Sequence, residues 1–173
     1  SVYKGDWKDD RREGKGVIIF ANGDKYGGSW KNDEFNGEGK FTGINGREYE
    51  GNWIDGKTNG YGTIKYSNGD IYKGCWENNK RNGTGKYIWK DGGEYEGDWI
   101  EDLREGYGTI KYFNGQKYEG EWRNDKRAGK GRLTFGDGSE YDGSWMDDRF
   151  NGEGTFTWKD GTEYEGNFRN NCR

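Results

Sequence analysis

The side chains that could do chemistry in this chain form a short inventory, and most mechanisms fail on it. There is no histidine among the 173 residues, so a histidine-based triad, an imidazole proton shuttle and an imidazole metal ligand are all excluded. Carboxylates are abundant, with 32 Asp and Glu. They recur at fixed spacing along the chain, however, and no unique pair stands apart for general acid–base work. Cys75 occupies a position where equivalent places hold Asp6, Ser29, Asn52, Asp98, Glu121, Ser144 and Asn167. It reads as a polar-face residue, not a nucleophile, and Cys172 falls in the last connecting segment. Gly14-x-Gly16 and its copies lack the third glycine, the Gly-Lys-Ser/Thr ending and the following helix of a phosphate-binding loop. They are read as backbone packing at strand entry. Asp147, Asp148 and Asn151 lack the spacing of a calcium loop and are read as a solvated loop. The expectation is a non-enzymatic chain without a cofactor or a bound metal.

Bulk composition narrows the partners. Lys and Arg number 28 and the formal net charge is −4, so there is no basic excess of the kind that marks a nucleic-acid binder. No stretch is apolar enough for a signal peptide or a membrane-spanning helix, and two cysteines make no disulfide framework. A cytoplasmic location is expected. Hydrophobic residues make up 28% of the chain but aromatics 17%. Each aromatic ring buries a large area, so the expected structure is thin and faced with rings.

The elements that must position these residues follow from an internal repeat. Tyr3, Tyr26, Tyr49, Tyr72, Tyr95, Tyr118, Tyr141 and Tyr164 are spaced by 23 residues without a gap. Glycine follows each at the second residue, and Trp, or Phe168 in the last unit, at the fourth. A Gly-x-Gly pair and then Asn-Gly or Asp-Gly complete every full unit, from Asn22-Gly23 to Asp160-Gly161. Most of the 34 glycines fall at these places, which a flexible linker would not maintain. The chain is therefore one array over residues 1–173, with a partial unit at 164–173, and is expected to be a piece of a longer protein.

Asn-Gly and Asp-Gly predict type I′ hairpin turns, in which both central residues have φ > 0. The flanks alternate with period two, as strands must: Ile64 and Tyr66 share one side, Thr63 and Lys65 the other. Hairpins are predicted near 15–30, 38–53, 61–76, 84–99, 107–122, 130–145 and 153–168. A lone strand around 2–7 precedes them, and polar connections of about seven residues, such as Glu77 to Asn82, join them. The predicted fold is all-β: an elongated array of antiparallel β-hairpins forming one twisted, curled, single-layer sheet of about 15 strands. One face carries the Tyr and Trp rings with Ile18, Phe20, Phe41, Trp89, Leu133, Phe135, Phe156 and Trp158. Such a sheet makes a ring-lined trough, and exposed aromatic patches mark interaction sites. The expected partner-binding residues are Tyr49, Tyr66, Tyr72, Trp89, Tyr95, Tyr112 and Tyr118. A second candidate is a cationic row for anionic lipid headgroups, formed by Arg11, Arg12, Lys80, Arg81, Arg104, Lys126, Arg127 and Arg149. Neighbouring acidic residues such as Asp9, Asp10, Asp125, Asp147 and Asp148 largely offset it.

The unit Tyr95-Glu96-Gly97-Asp98-Trp99, continued by Gly106-Tyr107-Gly108 and Asn114-Gly115, resembles the MORN repeat, and the resemblance covers essentially the whole chain. The family's common His before the Gly-x-Gly pair is replaced here by Glu13, Asn36, Asn59, Asn82, Glu105, Ala128 and Asn151. The resemblance implies a non-catalytic scaffold that holds a partner segment along an aromatic groove and can pair with itself, in a cytoskeletal, ciliary or membrane-junction assembly. It also implies two alternatives: a phosphoinositide- or anionic-membrane-binding module, and a regulatory array attached to an enzyme domain outside this chain.

Overall fold

The computed structural model describes residues 1–173. It contains fifteen antiparallel strands and no helix, as the repeat predicted. The chain divides into two compact units, Ser1–Lys90 and Asp91–Arg173. The first holds β1 (Val2–Lys8), β2 (Arg11–Ile19), β3 (Lys25–Lys31), β4 (Glu34–Thr42), β5 (Glu48–Ile54), β6 (Lys57–Lys65), β7 (Ile71–Glu77) and β8 (Lys80–Ile88). The second holds β9 (Glu94–Ile100), β10 (Leu103–Lys111), β11 (Lys117–Arg123), β12 (Lys126–Thr134), β13 (Glu140–Met146), β14 (Arg149–Thr157) and β15 (Glu163–Phe168). Within each unit every strand pairs with its neighbours in chain order.

The turn chemistry differs from the sequence expectation in an instructive way. The tightest turns are not at Asn-Gly. They lie two residues after the Trp of each Tyr-x-Gly-x-Trp stretch, at pairs such as Asn32-Asp33 (φ 49° and 69°) and Asp147-Asp148 (φ 48° and 66°). Both residues are left-handed, the signature of a type I′ turn, and short Asn and Asp side chains tolerate that region best. The predicted seven-residue connection is thus a two-residue turn. Its consequence is that the first strand is not alone: Tyr3 pairs with Ile18 and Lys8 with Arg11. At Asn22-Gly23 only the glycine is left-handed, with φ 93°. There the Gly23 N–H bonds the Phe20 carbonyl at 2.9 Å and the Phe20 N–H bonds the Asp24 carbonyl at 2.8 Å. The Asn22 side chain accepts the Asp24 N–H at 3.1 Å. That side-chain bond, an Asx-type contact to the residue two on, stabilises the loop locally.

Gly-x-Gly also sits elsewhere than predicted. The pair lies in mid-strand, not at strand entry. Gly5 pairs with Gly16 and Trp7 with Arg12, so Asp6 faces the three residues 13–15. This is a β-bulge, and Gly14, with φ 68°, supplies its left-handed residue. The Asp6 carboxylate accepts the Lys15 N–H at 3.0 Å across it.

The second glycine of each pair has a different task. Gly28 pairs with Gly39, and the Tyr26 ring lies over both. A Cβ added at Gly39 would fall inside that ring. The tyrosine hydroxyl then reaches the backbone and donates to the Ser29 carbonyl at 2.9 Å. Trp30 closes the layer by donating its indole N–H to the Gly16 carbonyl at 3.1 Å. Rings of successive repeats meet edge to face: Tyr26 lies 5.3 Å from Trp30 and 5.6 Å from Trp53. Burial of each such ring is worth ~1.5–3 kcal/mol, and the Tyr–Trp contact is what fastens one repeat to the next.

Candidate protein-binding surface

A single-layer sheet should leave its ring-bearing face open, yet Tyr26, Tyr72, Tyr95, Tyr118 and Tyr141 are fully buried. The cover comes from the second residue of each even-numbered strand, which alternation points to the ring side. Phe35 stacks on Tyr26 at 3.7 Å and Phe150 on Tyr141 at 3.8 Å. Arginine does the same elsewhere. The guanidinium of Arg12 lies 4.4 Å from the Trp30 centroid, that of Arg104 4.3 Å from Trp122, and that of Arg127 4.4 Å from Trp145. Arg81 lies 5.7 Å from the Tyr72 centroid. These are cation–π lids.

Five of the lids are held by a side chain of the next repeat. Asp33 accepts the Arg12 backbone N–H and its Nε, both at 2.9 Å, and the Asp33 carbonyl accepts Nη2. Asp125 holds Arg104 and Asp148 holds Arg127 in the same way. Where the lid is neutral, an amide takes the carboxylate's place: Asn79 accepts the Thr58 N–H at 2.9 Å and Asn171 the Phe150 N–H at 2.8 Å. Sequence reasoning missed this ladder. Its signal was present as Arg paired with Asp, and Thr or Phe paired with Asn, 21 residues on.

The expected binding residues separate accordingly. Tyr49, Tyr72, Tyr95 and Tyr118 belong to the core, at 0–2% exposure, and form no open surface, because the lids cover them. Tyr66, Trp89 and Tyr112 are half-buried. Each lies beside an Asn-Gly or Asp-Gly loop of its own repeat. In the first unit Tyr66 lies 5.9 Å from Tyr87, and Tyr87 5.1 Å from Trp89. The Tyr87 hydroxyl donates to Asp70 at 2.8 Å, and burial together with that carboxylate pushes its pKa up. In the second unit Phe135, Phe156 and Trp158 form a similar cluster, with centroids 5.7 and 4.8 Å apart.

The cationic row is also split, for the same reason. Adjacent residues on a strand point to opposite sides, so Arg11 and Arg12 cannot form one stripe. Arg12, Arg81, Arg104 and Arg127 turn inward over rings. Arg11, Lys80, Lys126 and Arg149 lie on the exposed side, where Lys126 pairs with Asp147 at 3.3 Å. The opposite, polar face carries the larger depressions, which sequence reasoning did not anticipate. One of about 790 Å³ in the first unit is bordered by Lys40, Glu48, Glu50, Tyr61, Lys65 and Lys73. One of about 770 Å³ in the second unit is bordered by Lys130, Arg132, Glu140, Asp142, Glu153 and Glu165. The exposed Tyr61 was the one hint. Cys75 and Cys172 are free thiols.

The 23-residue hairpin unit, with its tyrosine laid over paired glycines and its tryptophan bonded back to the preceding repeat, defines a β-hairpin repeat protein. The chain belongs to the MORN-repeat family: seven consecutive repeats match, at residues 3–25, 26–46, 49–71, 72–94, 95–117, 118–140 and 141–163. No curated protein matches it. Among solved structures it is similar to the TCP domain of SAS-4 from Drosophila melanogaster, in complex with a proline-rich motif of Ana2. That match has 13% identity and a TM-score of 0.53, covering 90% of this chain and 85% of that one. At such identity the likeness is one of fold. The TCP10 domain of CPAP from Danio rerio matches at 14% identity over 88% of this chain and 83% of that one, with a TM-score of 0.31.

Proposed function

We propose that this chain is a protein-interaction scaffold that holds an extended partner segment against the half-buried aromatic edge of the first unit, with Tyr66 and Trp89 as anchors. The observation that carries the reading is a contrast in burial between rings of the same face. The sheet covers its core tyrosines completely, yet leaves the Tyr66–Tyr87–Trp89 cluster part-exposed. Tilted rings 5.9 and 5.1 Å apart, a little under two residues of a polyproline helix at about 3.1 Å each, suit such a segment, whose low conformational entropy favours binding to aromatic clefts. The likeness in fold to a TCP domain in complex with a proline-rich motif supports that partner class. The setting that MORN arrays suggest is a cytoskeletal, ciliary or membrane-junction assembly, and no reaction is assigned to the chain itself.

Titration with a proline-rich decapeptide, followed by tryptophan fluorescence and calorimetry, tests the reading. Tyr66→Ala and Trp89→Ala should each weaken binding by about tenfold, the value of a modest hot spot. Unchanged affinity in both variants would refute it, as would equal binding of an acidic helical control peptide. Headgroup binding is a weaker alternative, since four of the eight cations in the expected row serve as lids.

A further inference from the structure

One rung of the ladder between repeats is missing. In five repeats a side chain from the second turn residue, Asp33, Asn79, Asp125, Asp148 or Asn171, accepts the backbone N–H of a lid residue in the preceding repeat. The equivalent of those residues for the Phe35 lid is Gly56, which has no side chain. The backbone half of the rung is intact: the Gly56 N–H bonds the Phe35 carbonyl at 3.0 Å, as the Asn171 N–H bonds that of Phe150 at 3.1 Å. The Phe35 N–H therefore points to the place that the Asn171 side chain takes beside the Phe150 N–H, where Gly56 offers no acceptor. A hollow of about 250 Å³ opens there, bordered by Phe20, Trp30, Phe35 and Gly56.

We propose that this hollow is a docking point for the extended segment of a partner protein, which would place a neutral carbonyl oxygen on the Phe35 N–H and an apolar side chain among Phe20, Trp30 and Phe35. The proposal deepens the scaffold reading and rests on it. Neutrality follows from the sibling rungs. A carboxylate is used where the lid is arginine, and an amide where it is Thr58 or Phe150. Phe35 is a neutral lid; of the charged residues that border the hollow, Arg12 and Asp33 pair with each other, which leaves Glu34 to repel a further anion. The volume suits one side chain and falls short of an ordinary small-molecule pocket, roughly 300–1,000 Å³. The occupant is thus part of a longer chain. Phe20 lies on the same loop edge as Tyr66 and Trp89, so one extended segment can engage both.

Amide-resolved NMR of the whole chain tests this with N-acetylleucine amide as probe and sodium acetate as the charged control. The Phe35 amide resonance should shift saturably with N-acetylleucine amide, the Phe150 resonance should stay still, and acetate should act more weakly. Gly56→Asn restores the missing acceptor and should fold, because Gly56 has φ 73° and a Cβ there meets nothing within 4 Å. It should abolish the response and slow hydrogen exchange at Phe35 at least tenfold. A motionless Phe35 resonance, an equal response in Gly56→Asn, or stronger binding of acetate would each overturn the proposal. The probes do not span to Tyr66 or Trp89, so decapeptide binding that survives such a result would leave the scaffold reading standing.

Discussion

Arg104 and Asp125 are joined by three hydrogen bonds, each 2.9 Å long: two from Arg104 to the Asp125 carboxylate and one from Nη2 to the Asp125 carbonyl. The same guanidinium covers Trp122. The contact thus couples a turn, a lid and a core ring. Asp125→Ala should cost about 1–2 kcal/mol in urea unfolding, discounted for its part exposure. Asp125→Asn, which keeps the acceptor for the Arg104 N–H, should cost less. Equal losses would show that the charge, not the backbone acceptor, carries the contact.

The correspondence of arginine with aspartate and of neutral lids with asparagine can be exchanged. Asn79→Asp places a carboxylate beside Thr58, which offers it no guanidinium, and should lower stability. Adding Thr58→Arg should recover the loss, with a coupling of ~1–2 kcal/mol in a double-mutant cycle. A coupling near zero would mean that the two positions vary independently.

Two glycines separate close packing from backbone strain. Gly39→Ala would drive a methyl into the Tyr26 ring and should cost on the order of 3 kcal/mol, as overpacking does. Gly46→Ala, at φ 84° with no atom near its Cβ, meets only the left-handed penalty of about 1–2 kcal/mol. Thermal unfolding of both variants checks the order.

Buried tyrosines make stability fall at alkaline pH. Burial is the leading cause that raises Tyr141 to about 12 and pushes Tyr26, Tyr49, Tyr95 and Tyr118 higher still. Folding favours the neutral phenol, so the contribution is complete below the ordinary value of 10.0. It disappears as pH rises through the folded value. Phenolate absorbance from the core should therefore appear together with the loss of the β-sheet signal. Ionisation of all thirteen tyrosines with the sheet intact would contradict this.

At the acid end the sign reverses. The Arg12 backbone N–H, followed by its side chain, holds the Asp33 carboxyl below the usual range. Its contribution is present above the unfolded value and is lost as pH falls through the folded one. Asp33→Asn should flatten the decline in melting temperature below about pH 4.

The sequence by itself determined the repeat length, the strand content and the ring-bearing face. These depend on local periodicity and on glycines that a neighbouring ring requires, and both recur seven times over. Tertiary structure alone decided which rings stay accessible. Tyr72 and Tyr66 look alike in the sequence, both aromatic and on the same face. Tyr72 is fully buried, with Arg81 against it, whereas Tyr66, beside the Asn68-Gly69 loop, stays part-exposed. The same holds for Arg11 and Arg12: side by side in the chain, one turns outward and the other becomes the roof of a core. The missing acceptor at Gly56 was equally hidden, because an absent side chain matters only when its partner, 21 residues away, is known to need it.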